Sequence, residues 1–363
     1  MRRGHFAAFA PQCPVCKLDR DAAQPLVLAT VCREAGCDVL GGMLQCSDPA
    51  CQHEYPIIDG IPIIMPRLRQ HLAERGVELL LRDDLDPLLW GVLGDALGPD
   101  SWLDSIRQTV STYAWDGYAD LDPAERPGSV TRGAARSCLA RLLDLARPRP
   151  GMRRMLDLGC GAGRTSFELA AYAPDGLVLG LDSNLALLRL ARRVATEGEV
   201  RYGRRRIGIV YDERRFAADL PGRERVDFWA CDALALPFAP AIADLAVALN
   251  LLDCVPRPQR LLAGMAEALQ VGGRMLLATP FDWATRATPL ESWVGGHSQR
   301  GPDGGAGEAF LRTLLTAGAH AQSVGGLAML GTADWPWQTR LHDRAAVAYC
   351  SHLVALERTD SAA

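Results

Sequence analysis

The chain has 363 residues, of which 48% are hydrophobic and 23% are charged, and its formal net charge is −4. This composition is typical of a globular protein with roughly two or three domains. The acidic balance argues against a strongly basic phosphate-backbone binder, and no apolar run approaches the roughly 18 residues of a membrane span. We therefore expect a soluble protein without a membrane partner and assign it by default to the cytoplasm.

Residues 1–66 are rich in cysteine and predict a small metal-binding domain. Six of the eleven cysteines lie between positions 13 and 51, and they come in pairs. Paired cysteines in an intracellular chain indicate thiolate ligands for a metal and not disulfides. Short β-branched runs broken by glycine and proline predict small strands and turns, and not helices, in this part. Large apolar residues are few, so bound metal is the expected source of folding free energy.

Two cysteine pairs have the C-x2-C and C-x4-C spacing of zinc knuckles that close a tetrahedral site. Cys32 and Cys37 form a third pair, which leaves the choice of ligands open, and an unliganded reduced head is the alternative. The segment Tyr-Pro-Ile-Ile-Asp-Gly-Ile-Pro at 55–62 resembles the small zinc-ribbon proteins that activate tRNA and translation-factor methyltransferases as separate subunits. The resemblance implies a zinc-ribbon-like head fused to its catalytic partner. The structural Zn²⁺ ligands favoured on this basis are Cys13, Cys16, Cys46 and Cys51.

A helical bridge or lid is predicted for residues 67–150. Apolar residues of 67–126 recur at helical spacing, and a further helix is expected around 134–146, before an Arg-Pro linker. From position 151 the pattern changes to short apolar strands at 155–158, 177–181, 226–230, 245–249 and 274–279, with helical stretches between them. This alternation predicts an α/β domain over 151–363, with a mostly parallel sheet covered by helices on both faces.

The turn after the first of these strands carries alternating glycines, Gly159, Gly161 and Gly163, ahead of a helix. Glycines let the backbone approach a ligand closely, with the helix N-terminus pointing at it. The second strand ends in Asp182, which suits two ribose hydroxyls, and the third is followed by Asp232, which can accept from an adenine amino group. The glycine spacing is G-x-G-x-G and not the G-x-G-x-x-G of nicotinamide enzymes.

These three motifs in this order resemble the class I S-adenosylmethionine (SAM) methyltransferases over residues 151–363. The resemblance implies a Rossmann-like, seven-stranded domain in which Asp157 and the glycine loop meet the methionine part of the cofactor. Asp182 would hold the ribose and Asp232 the adenine. The cofactor-binding residues expected on this basis are Asp157, Gly159, Cys160, Gly161, Gly163, Asp182, Ser183, Asp232, Ala233 and Asn250. A Rossmann-type domain that binds a nucleotide without methyl transfer is the alternative. The aromatic residues expected to form a lid over the cofactor are Tyr113, Trp115 and Tyr118.

Strands four and five of this domain are expected to face the methyl acceptor, because ligands bind beyond the carboxyl ends of strands in open α/β sheets. Asn250 and Asp253 follow strand four and can hydrogen-bond an imidazole ring, while Trp283 and Trp293 can form an aromatic wall. His297 is a candidate base. The alternatives are a helix cap for Asp253, core packing for the tryptophans and a surface position for His297. Methyl transfer from an activated sulfonium requires mainly alignment of the reactants.

Segments 197–199, 250–253, 288–296 and 334–337 together resemble the methyltransferase domain of ovothiol synthases, which methylates a mercaptohistidine ring nitrogen. The resemblance implies a small-molecule or peptide acceptor, such as a histidine-like imidazole. The chain departs from that family in lacking the iron-dependent sulfoxide synthase half and in having Cys254 where an arginine is usual. It also lacks the Asn-Pro-Pro-aromatic motif with which many enzymes methylate exocyclic amines of bases, which disfavours a nucleobase acceptor.

Two other functions stay open at this point. Eight arginines and four acids at 201–225, together with the zinc-ribbon-like head, are compatible with a tRNA or rRNA methyltransferase. The same arginines equally fit a clamp for a carboxylate acceptor or a solvated β-hairpin. The third function is that of a non-catalytic activator that binds the cofactor and a partner protein. A small-molecule or peptide acceptor is favoured over nucleic acid.

Overall fold

The structure is a computed structural model that describes residues 1–80, 87–126, 128 and 130–360. In chain order its helices are α1 (Arg3–Phe9), α2 (Pro14–Arg20), α3 (Leu68–Leu80), α4 (Pro87–Leu97), α5 (Trp102–Tyr118), α6 (Ala134–Ala146), α7 (Arg164–Tyr172), α8 (Leu185–Glu197), α9 (Pro258–Ala268) and α10 (Gly307–Leu314). Its strands are β1 (Leu26–Ala35), β2 (Asp38–Cys46), β3 (Glu54–Ile58), β4 (Ile61–Ile64), β5 (Arg154–Leu158), β6 (Leu177–Asp182), β7 (Glu199–Ile207), β8 (Val210–Ala217), β9 (Val226–Cys231), β10 (Ala243–Leu249), β11 (Leu269–Thr279), β12 (Leu327–His342) and β13 (Ala345–Arg358).

Five parallel strands form the centre of the main sheet in the order β9-β6-β5-β10-β11. In chain order these are the third, second, first, fourth and fifth strands, which is the order of open, doubly wound sheets. The long hairpin β12–β13 adds two antiparallel strands next to β11, so that this part has the seven strands expected from the sequence. The strands are buried on both faces, as their continuous apolar sequences predict. The predicted α/β, Rossmann-like fold class is therefore confirmed.

The first four strands extend this sheet at the β9 edge. They form an antiparallel meander, β1-β2-β3-β4, and β4 then pairs in parallel with β9 through Ile63 opposite Ala230 and Ile64 opposite Cys231. The β3–β4 turn consists of Asp59 and Gly60, with φ angles of 52° and 76°. Two left-handed residues are what a tight turn between antiparallel strands requires, and Asp-Gly is a preferred pair for it. Strands from both sides of position 66 therefore belong to one continuous sheet. A separate domain over residues 1–66 stays a prediction.

The cysteine-rich part also contains two short helices, so the expectation of strands and turns without helices is wrong for α1 and α2. Helix α2 begins with Pro14, whose missing N–H costs nothing in the first turn of a helix. Helix α1 buries Phe9, whose ring centroid lies 6.5 Å from that of Trp229 and 6.0 Å from that of Phe238. Seven residues are too few to show a helical period in the sequence.

Helices α3 to α6 occupy the segment predicted as a helical bridge, of which residues 81–86, 127 and 129 lie outside the described residues. Ser101 caps α5 by accepting a hydrogen bond from the backbone N–H of Asp104 at 3.2 Å. None of the helices in the described ranges combines the length and the hydropathy that a bilayer crossing requires.

A buried arginine connects the amino-terminal strands to the parallel sheet. Arg192 on α8 has a side chain that is 7% exposed, and its guanidinium lies 3.0 Å from Asp38 on β2 and 3.4 Å from Asp227 on β9. Asp227 also accepts hydrogen bonds from the Trp229 indole at 3.0 Å and from the backbone N–H of Arg2 at 2.8 Å. The guanidinium lies against Gly60, where a side chain would collide with it. The ion pair thus spans the junction between the two parts of the sheet.

We expect Arg192→Ala to lower the free energy of unfolding by about 3–5 kcal/mol, because it removes the guanidinium that pairs with the buried Asp227 carboxylate. Urea denaturation followed by circular dichroism measures this change. The matched control is Arg149→Ala, since Arg149 is 73% exposed in its pair with Glu357 and its loss should cost less than about 1 kcal/mol. Equal losses of unfolding free energy in the two variants would contradict the prediction that the buried ion pair stabilises the fold more than the exposed one.

Candidate cofactor and acceptor site

The carboxyl ends of β5 and β10 meet at the point where the strand order reverses. The chain leaves β5 toward α7, and it leaves the neighbouring strand β10 toward α9. Ligands of open α/β sheets bind in the crevice that forms at this position. Gly159 follows β5 and Asn250 follows β10, so the structure brings the predicted cofactor loop and the predicted acceptor residues together.

The glycine loop has a backbone that other residues rarely adopt. Gly159, Gly161 and Gly163 have φ angles of 69°, 53° and 86°. A side chain at Gly163 would collide with the ring of Phe228, which lies under the start of α7. At Gly161 an added Cβ would meet nothing closer than the Tyr113 ring at 3.6 Å. The loop is therefore closed on its inner side and open above Gly161, as expected for backbone that approaches a ligand.

Asp157 is 1% exposed and holds the start of α7 against β5. Its Oδ2 atom accepts hydrogen bonds from the hydroxyls of Thr165 and Ser166, both at 2.6 Å. Burial raises the pKa of Asp157 to about 6, although the two hydroxyls oppose this shift. The observed contacts make Asp157 a residue that positions the glycine loop, and its direct contact with a cofactor stays a prediction.

Asp182, at the end of β6, is half-buried, and both of its carboxylate oxygens accept hydrogen bonds from backbone N–H groups. Oδ2 accepts from the backbone N–H of Gly161 at 2.9 Å, and Oδ1 accepts from Asn184 at 2.8 Å. Burial raises the pKa of Asp182, while these N–H groups lower it. A carboxylate can accept about four hydrogen bonds, so Asp182 retains capacity for a ribose hydroxyl. Ser183, the next residue, is half-buried as well.

Asp232 lies beyond the end of β9 and has one carboxylate oxygen engaged. Its Oδ1 atom accepts from the backbone N–H of Leu234 at 2.9 Å, and both Asp232 and Ala233 are half-buried. Cys160 is buried, and its backbone N–H donates to the carbonyl of Leu181 at 3.1 Å. Asp232 and Asp182 end neighbouring strands, so the structure places the two predicted nucleoside contacts side by side.

Helix α5 is fixed to the glycine loop through its last turn. The Tyr118 hydroxyl donates to the carbonyl of Ala162 at 2.7 Å, and Arg164 donates to the carbonyl of Gly117 at 2.7 Å. Tyr113, one turn earlier, is 49% exposed and lies next to Gly161, as a lid would require. Trp115 and Tyr118 are 2% and 0% exposed and pack in the core, and their role in a lid stays a prediction.

Helix α3 contributes two residues near this site that the sequence analysis did not single out. The Nε2 atom of His71 is shielded from solvent and has no hydrogen-bond partner among the described residues. Burial and Arg75 lower the pKa of His71, whereas Asp232 opposes the shift. Arg75 in turn lowers the pKa of Asp182. No sequence signal identifies these residues, because their position depends on the pairing of β4 with β9.

Asn250 and Asp253 are held rigidly after β10. Asn250 has a left-handed φ of 50°, and its Oδ1 atom accepts from the Ser351 hydroxyl at 2.9 Å. Asp253 is 3% exposed, and its Oδ2 atom accepts from the backbone N–H of Asp282 at 2.8 Å. Burial raises the pKa of Asp253 to about 6, against the effect of this N–H group. This hydrogen bond connects the segments that follow β10 and β11. The N-cap residue of α9 is Arg257, so Asp253 does not cap that helix.

Trp283 and Trp293 stack on each other, with ring centroids 6.0 Å apart and an interplanar angle of 16°. The Trp293 indole donates to the carbonyl of Thr288 at 2.8 Å, and the Thr288 hydroxyl reaches the carbonyl of Asp253 at 3.1 Å. Trp283 has a shielded Nε1 atom without a partner among the described residues. Both rings are half-buried, so neither is a plain core residue. The predicted aromatic pair therefore forms beside Asp253.

Strand β13 supplies further residues that the sequence analysis missed. Ser351 is the hydrogen-bond partner of Asn250. Burial, followed by the nearby Asp282, raises the pKa of Tyr349. His352 stacks on Phe281 at 6.3 Å between centroids. Phe281 has a φ of 55°, which is an outlier for an aromatic residue and turns the chain sharply after β11. These contacts depend on the register of the β12–β13 hairpin, which begins at Leu327, 48 residues after β11 ends at Thr279, so the sequence carries no local signal for them.

His297 does not join this network. Its side chain is exposed and has no hydrogen-bond partner among the described residues. His297 thus lies at the surface, which is the alternative given for it above, and a catalytic role for His297 stays a prediction.

The arginines of 201–225 lie on the antiparallel hairpin β7–β8 and the segment that follows it. All eight make hydrogen bonds or ion pairs within the chain. Their partners are Glu213 for Arg201, Glu125 and Asp343 for Arg204, Gln108 for Arg205, Asp212 for Arg206, Asp122 for Arg214, Glu199 for Arg215, the Ala195 carbonyl for Arg223 and the Ala173 carbonyl for Arg225. Internal partners favour the β-hairpin interpretation over an open clamp.

Four of the six amino-terminal cysteines come together in the folded chain. The Sγ atoms of Cys13, Cys16, Cys46 and Cys51 all lie within 4.8 Å of one another. Cys13 and Cys51 are 3.8 Å apart, and Cys16 and Cys46 are 3.7 Å apart. Cys32 and Cys37 are exposed and lie outside this cluster. The structure thus brings together the four thiols that were favoured as zinc ligands because the second pair adjoins the zinc-ribbon-like segment.

Comparison with known proteins adds an independent finding. Residues 156–277 match the family model described as a methyltransferase domain. This match covers the glycine loop, Asp182, Asp232 and the Asn250–Asp253 segment. The chain carries a SAM-dependent methyltransferase domain.

Similar proteins match parts of the chain. A demethylmenaquinone methyltransferase of Roseiflexus castenholzii is 30% identical, over 34% of this chain and 50% of its own length. A trans-aconitate 2-methyltransferase of Deinococcus radiodurans is 28% identical, over 53% of this chain and 64% of its own. The crystal structure of the YcgJ protein of Bacillus subtilis superposes with a TM-score of 0.39 and 16% identity, over 62% of this chain and 100% of that one. The chain spans 35% to 64% of the length of the curated relatives that it matches.

We expect Asp182→Ala to weaken SAM binding by roughly 2–4 kcal/mol, because it removes two charge-assisted hydrogen bonds and releases Gly161. Calorimetric titration with SAM and with S-adenosylhomocysteine measures the loss. Asp175→Ala is the matched control, because Asp175 is exposed and precedes β6 at the opposite edge of the sheet. Unchanged affinity in Asp182→Ala would contradict the assignment of the ribose site.

Proposed function

We propose that the whole protein catalyses SAM-dependent methylation of a small-molecule or peptide acceptor, with a histidine-like imidazole nitrogen as the acceptor atom. The observation that carries this proposal is the joined arrangement of Asp253, Asp282 and the Trp283–Trp293 pair beside the glycine loop. Imidazole offers a flat ring for an indole face and a second nitrogen for a carboxylate or amide oxygen. The resemblance of segments 250–253 and 288–296 to ovothiol synthases supports the same acceptor.

The residues of this chain would do little beyond holding and aligning. The glycine loop, Asp182 and Asp232 fit SAM, whose sulfonium supplies an activated methyl group when bound. The acceptor nitrogen attacks with its lone pair to form the new N–C bond, while the electron pair of the old S–C bond remains on sulfur. Asp253 or Asn250 would accept the N–H of the other ring nitrogen and fix the ring. Alignment of this kind accounts for most of the rate enhancement in displacements on activated centres.

We expect Asp253→Asn to preserve SAM affinity and to lower kcat roughly 10- to 100-fold, because a charge-assisted hydrogen bond is replaced by a weaker one in the reacting complex. Trp293→Ala should raise the KM of the acceptor. Turnover is measured on imidazole compounds, histidine-containing peptides and bulk RNA at two salt concentrations.

The controls address the competing functions. Arg215→Ala changes an exposed hairpin arginine and should leave turnover of imidazole compounds unchanged. Methylation of RNA alone, with a steep loss at high salt and sensitivity to Arg215, would indicate an RNA methyltransferase. SAM binding without transfer to any of these substrates would favour an activator of a partner protein. Either result would overturn the proposed acceptor.

We further propose that Cys13, Cys16, Cys46 and Cys51 hold one structural Zn²⁺. Zinc–thiolate distances of about 2.3 Å in a tetrahedron give sulfur–sulfur separations of about 3.8 Å. The observed separations of 3.8 Å and 3.7 Å match this value. The Tyr55 hydroxyl lies 3.2 Å from the Cys13 sulfur and would donate to its thiolate. The donor set and its geometry both fit zinc.

Metal analysis of the chain purified without chelator should give about one zinc per molecule. We expect Cys13→Ser to lose the metal and loosen the amino-terminal strands, since structural zinc supplies on the order of 10 kcal/mol to small domains. Cys32→Ser and Cys37→Ser are matched controls that should retain it. Retention of zinc after the combined loss of Cys13 and Cys16 would refute this ligand set.

A further inference from the structure

Helix α5 lies between the glycine loop and the hairpin β7–β8, and it meets them through opposite faces. The Tyr113 ring lies next to Gly161 of the loop. Ser111, two residues earlier, accepts a hydrogen bond from the backbone N–H of Arg205 on β7 at 2.7 Å. Two residues along an α-helix are separated by about 200° around its axis. The hairpin therefore contacts α5 on the side that faces away from the glycine loop.

The face of α5 that meets the hairpin consists of three polar residues at helical spacing, Asp104, Gln108 and Ser111. Asp104 accepts from the Tyr211 hydroxyl of β8 at 3.1 Å and from the side-chain amide of Gln108 at 2.8 Å. The Gln108 side-chain oxygen in turn accepts from the Arg205 guanidinium at 2.9 Å. Asp104 and Ser111 are 5% and 0% exposed, so loss of a partner leaves a buried polar group unsatisfied.

Tyr211 contacts α5 through its ring as well as its hydroxyl. The Arg107 guanidinium lies 3.9 Å from the centre of the Tyr211 ring, which is a cation–π contact. Tyr211 and Arg205 are direct cross-strand partners in the hairpin. Both side chains therefore reach the same part of α5, and they contact it on the turns that precede Tyr113.

The hairpin is itself attached to the main sheet. Arg204 pairs with Glu125 and with Asp343, which follows β12, each at 2.6 Å. Arg340 on β12 donates to the backbone carbonyl of Arg205 at 2.7 Å. Because β12 is a strand of the main sheet, the hairpin forms a fixed support behind α5.

The two ends of α5 are thus held differently against the glycine loop. The last turn is hydrogen-bonded to the loop directly, through Tyr118 and Arg164. The turn that carries Tyr113 meets the loop by ring contact at Gly161 and is hydrogen-bonded to the hairpin on its other side. A lid retains a ligand only while the element that carries it stays closed.

We propose that the hairpin β7–β8 supports the cofactor site, and that Arg205 and Tyr211 are positioning residues that hold Tyr113 over bound SAM. Without these contacts the middle of α5 moves away from the glycine loop more often, and the cofactor dissociates faster. The proposal concerns retention of the cofactor and holds for any methyl acceptor. It also gives a role to the arginine-rich segment between α8 and β9.

Tyr211→Ala should raise the Kd of S-adenosylhomocysteine roughly five- to tenfold, with a similar rise in its dissociation rate, because a hydrogen bond and a cation–π contact are lost. Tyr211→Phe keeps the ring beside Arg107 and should raise the Kd about two- to threefold. Calorimetry and displacement of labelled ligand measure both quantities on the full chain. The matched control is Arg215→Ala on the same strand, which pairs within the hairpin with Glu199 and should change neither.

A double-mutant cycle with Tyr113→Ala separates positioning from a structural role. Tyr113→Ala alone should weaken binding of S-adenosylhomocysteine at least as much as Tyr211→Ala does. Adding Tyr211→Ala to it should cause less than about a twofold further loss, because the hairpin then has no ring to position. A merely structural role of Tyr211 would give the same fold-change with and without Tyr113. Urea denaturation of each variant checks that the fold is retained.

Unchanged affinity in Tyr113→Ala or in Tyr211→Ala would overturn the proposal, and so would equal fold-changes in the two backgrounds. If Tyr211→Ala does not fold, the same cycle is carried out with Tyr211→Phe and with Ser111→Ala, which removes only the hydrogen bond from the Arg205 N–H, and the same criteria apply. The measurements need no methyl acceptor, so their outcome is independent of the imidazole proposed above.

Discussion

The reversal of strand order between β5 and β10 is the constraint on which the site depends. Parallel neighbours whose connections run in opposite directions leave a crevice at their carboxyl ends, and as a rule the residues that line it follow the strand ends. Gly161, Asp182, Asp232 and Asp253 all satisfy this rule. Strand β13 differs because it runs antiparallel to β11, so that its amino-terminal half lies beside the carboxyl end of β11. Tyr349 and Ser351 lie in this half, and Ser351 contacts Asn250.

Charged side chains are paired differently in the hairpin β7–β8 and at the ends of strands four and five. The chain is nearly balanced, with 39 basic and 43 acidic residues, yet the described hairpin arginines are bound to internal acids or carbonyls. Asp253, by contrast, is buried and accepts its hydrogen bond from a backbone N–H, that of Asp282. A count of charged residues over the whole chain does not reveal such local differences in pairing.

Strand ends and ligand motifs could be predicted from the sequence because their signals are local. Apolar runs followed by glycine or aspartate identify β5, β6 and β9. The cysteine spacing, together with the resemblance of segment 55–62 to zinc-ribbon proteins, favoured the four thiols that lie together in the fold. Tyr349 and His71 could not be found in this way. Their positions follow from pairings between segments far apart in the chain, and neither β-propensity nor hydrophobic period specifies which distant strand is the partner.

The pairing of β4 with β9 has a consequence for how the chain folds during synthesis. Ala230 follows its partner Ile63 by 167 residues, so translation at roughly 5–20 residues per second delays this contact by about 8 to 33 s. The cysteines at 13–51 emerge early and can close locally. Throughout the delay the apolar strand Ile61–Ile64, which is buried in the folded chain, lacks its neighbour. During this interval the strand has an unpaired edge, and a strand of another nascent chain can pair with it. In the folded chain β9 occupies that edge.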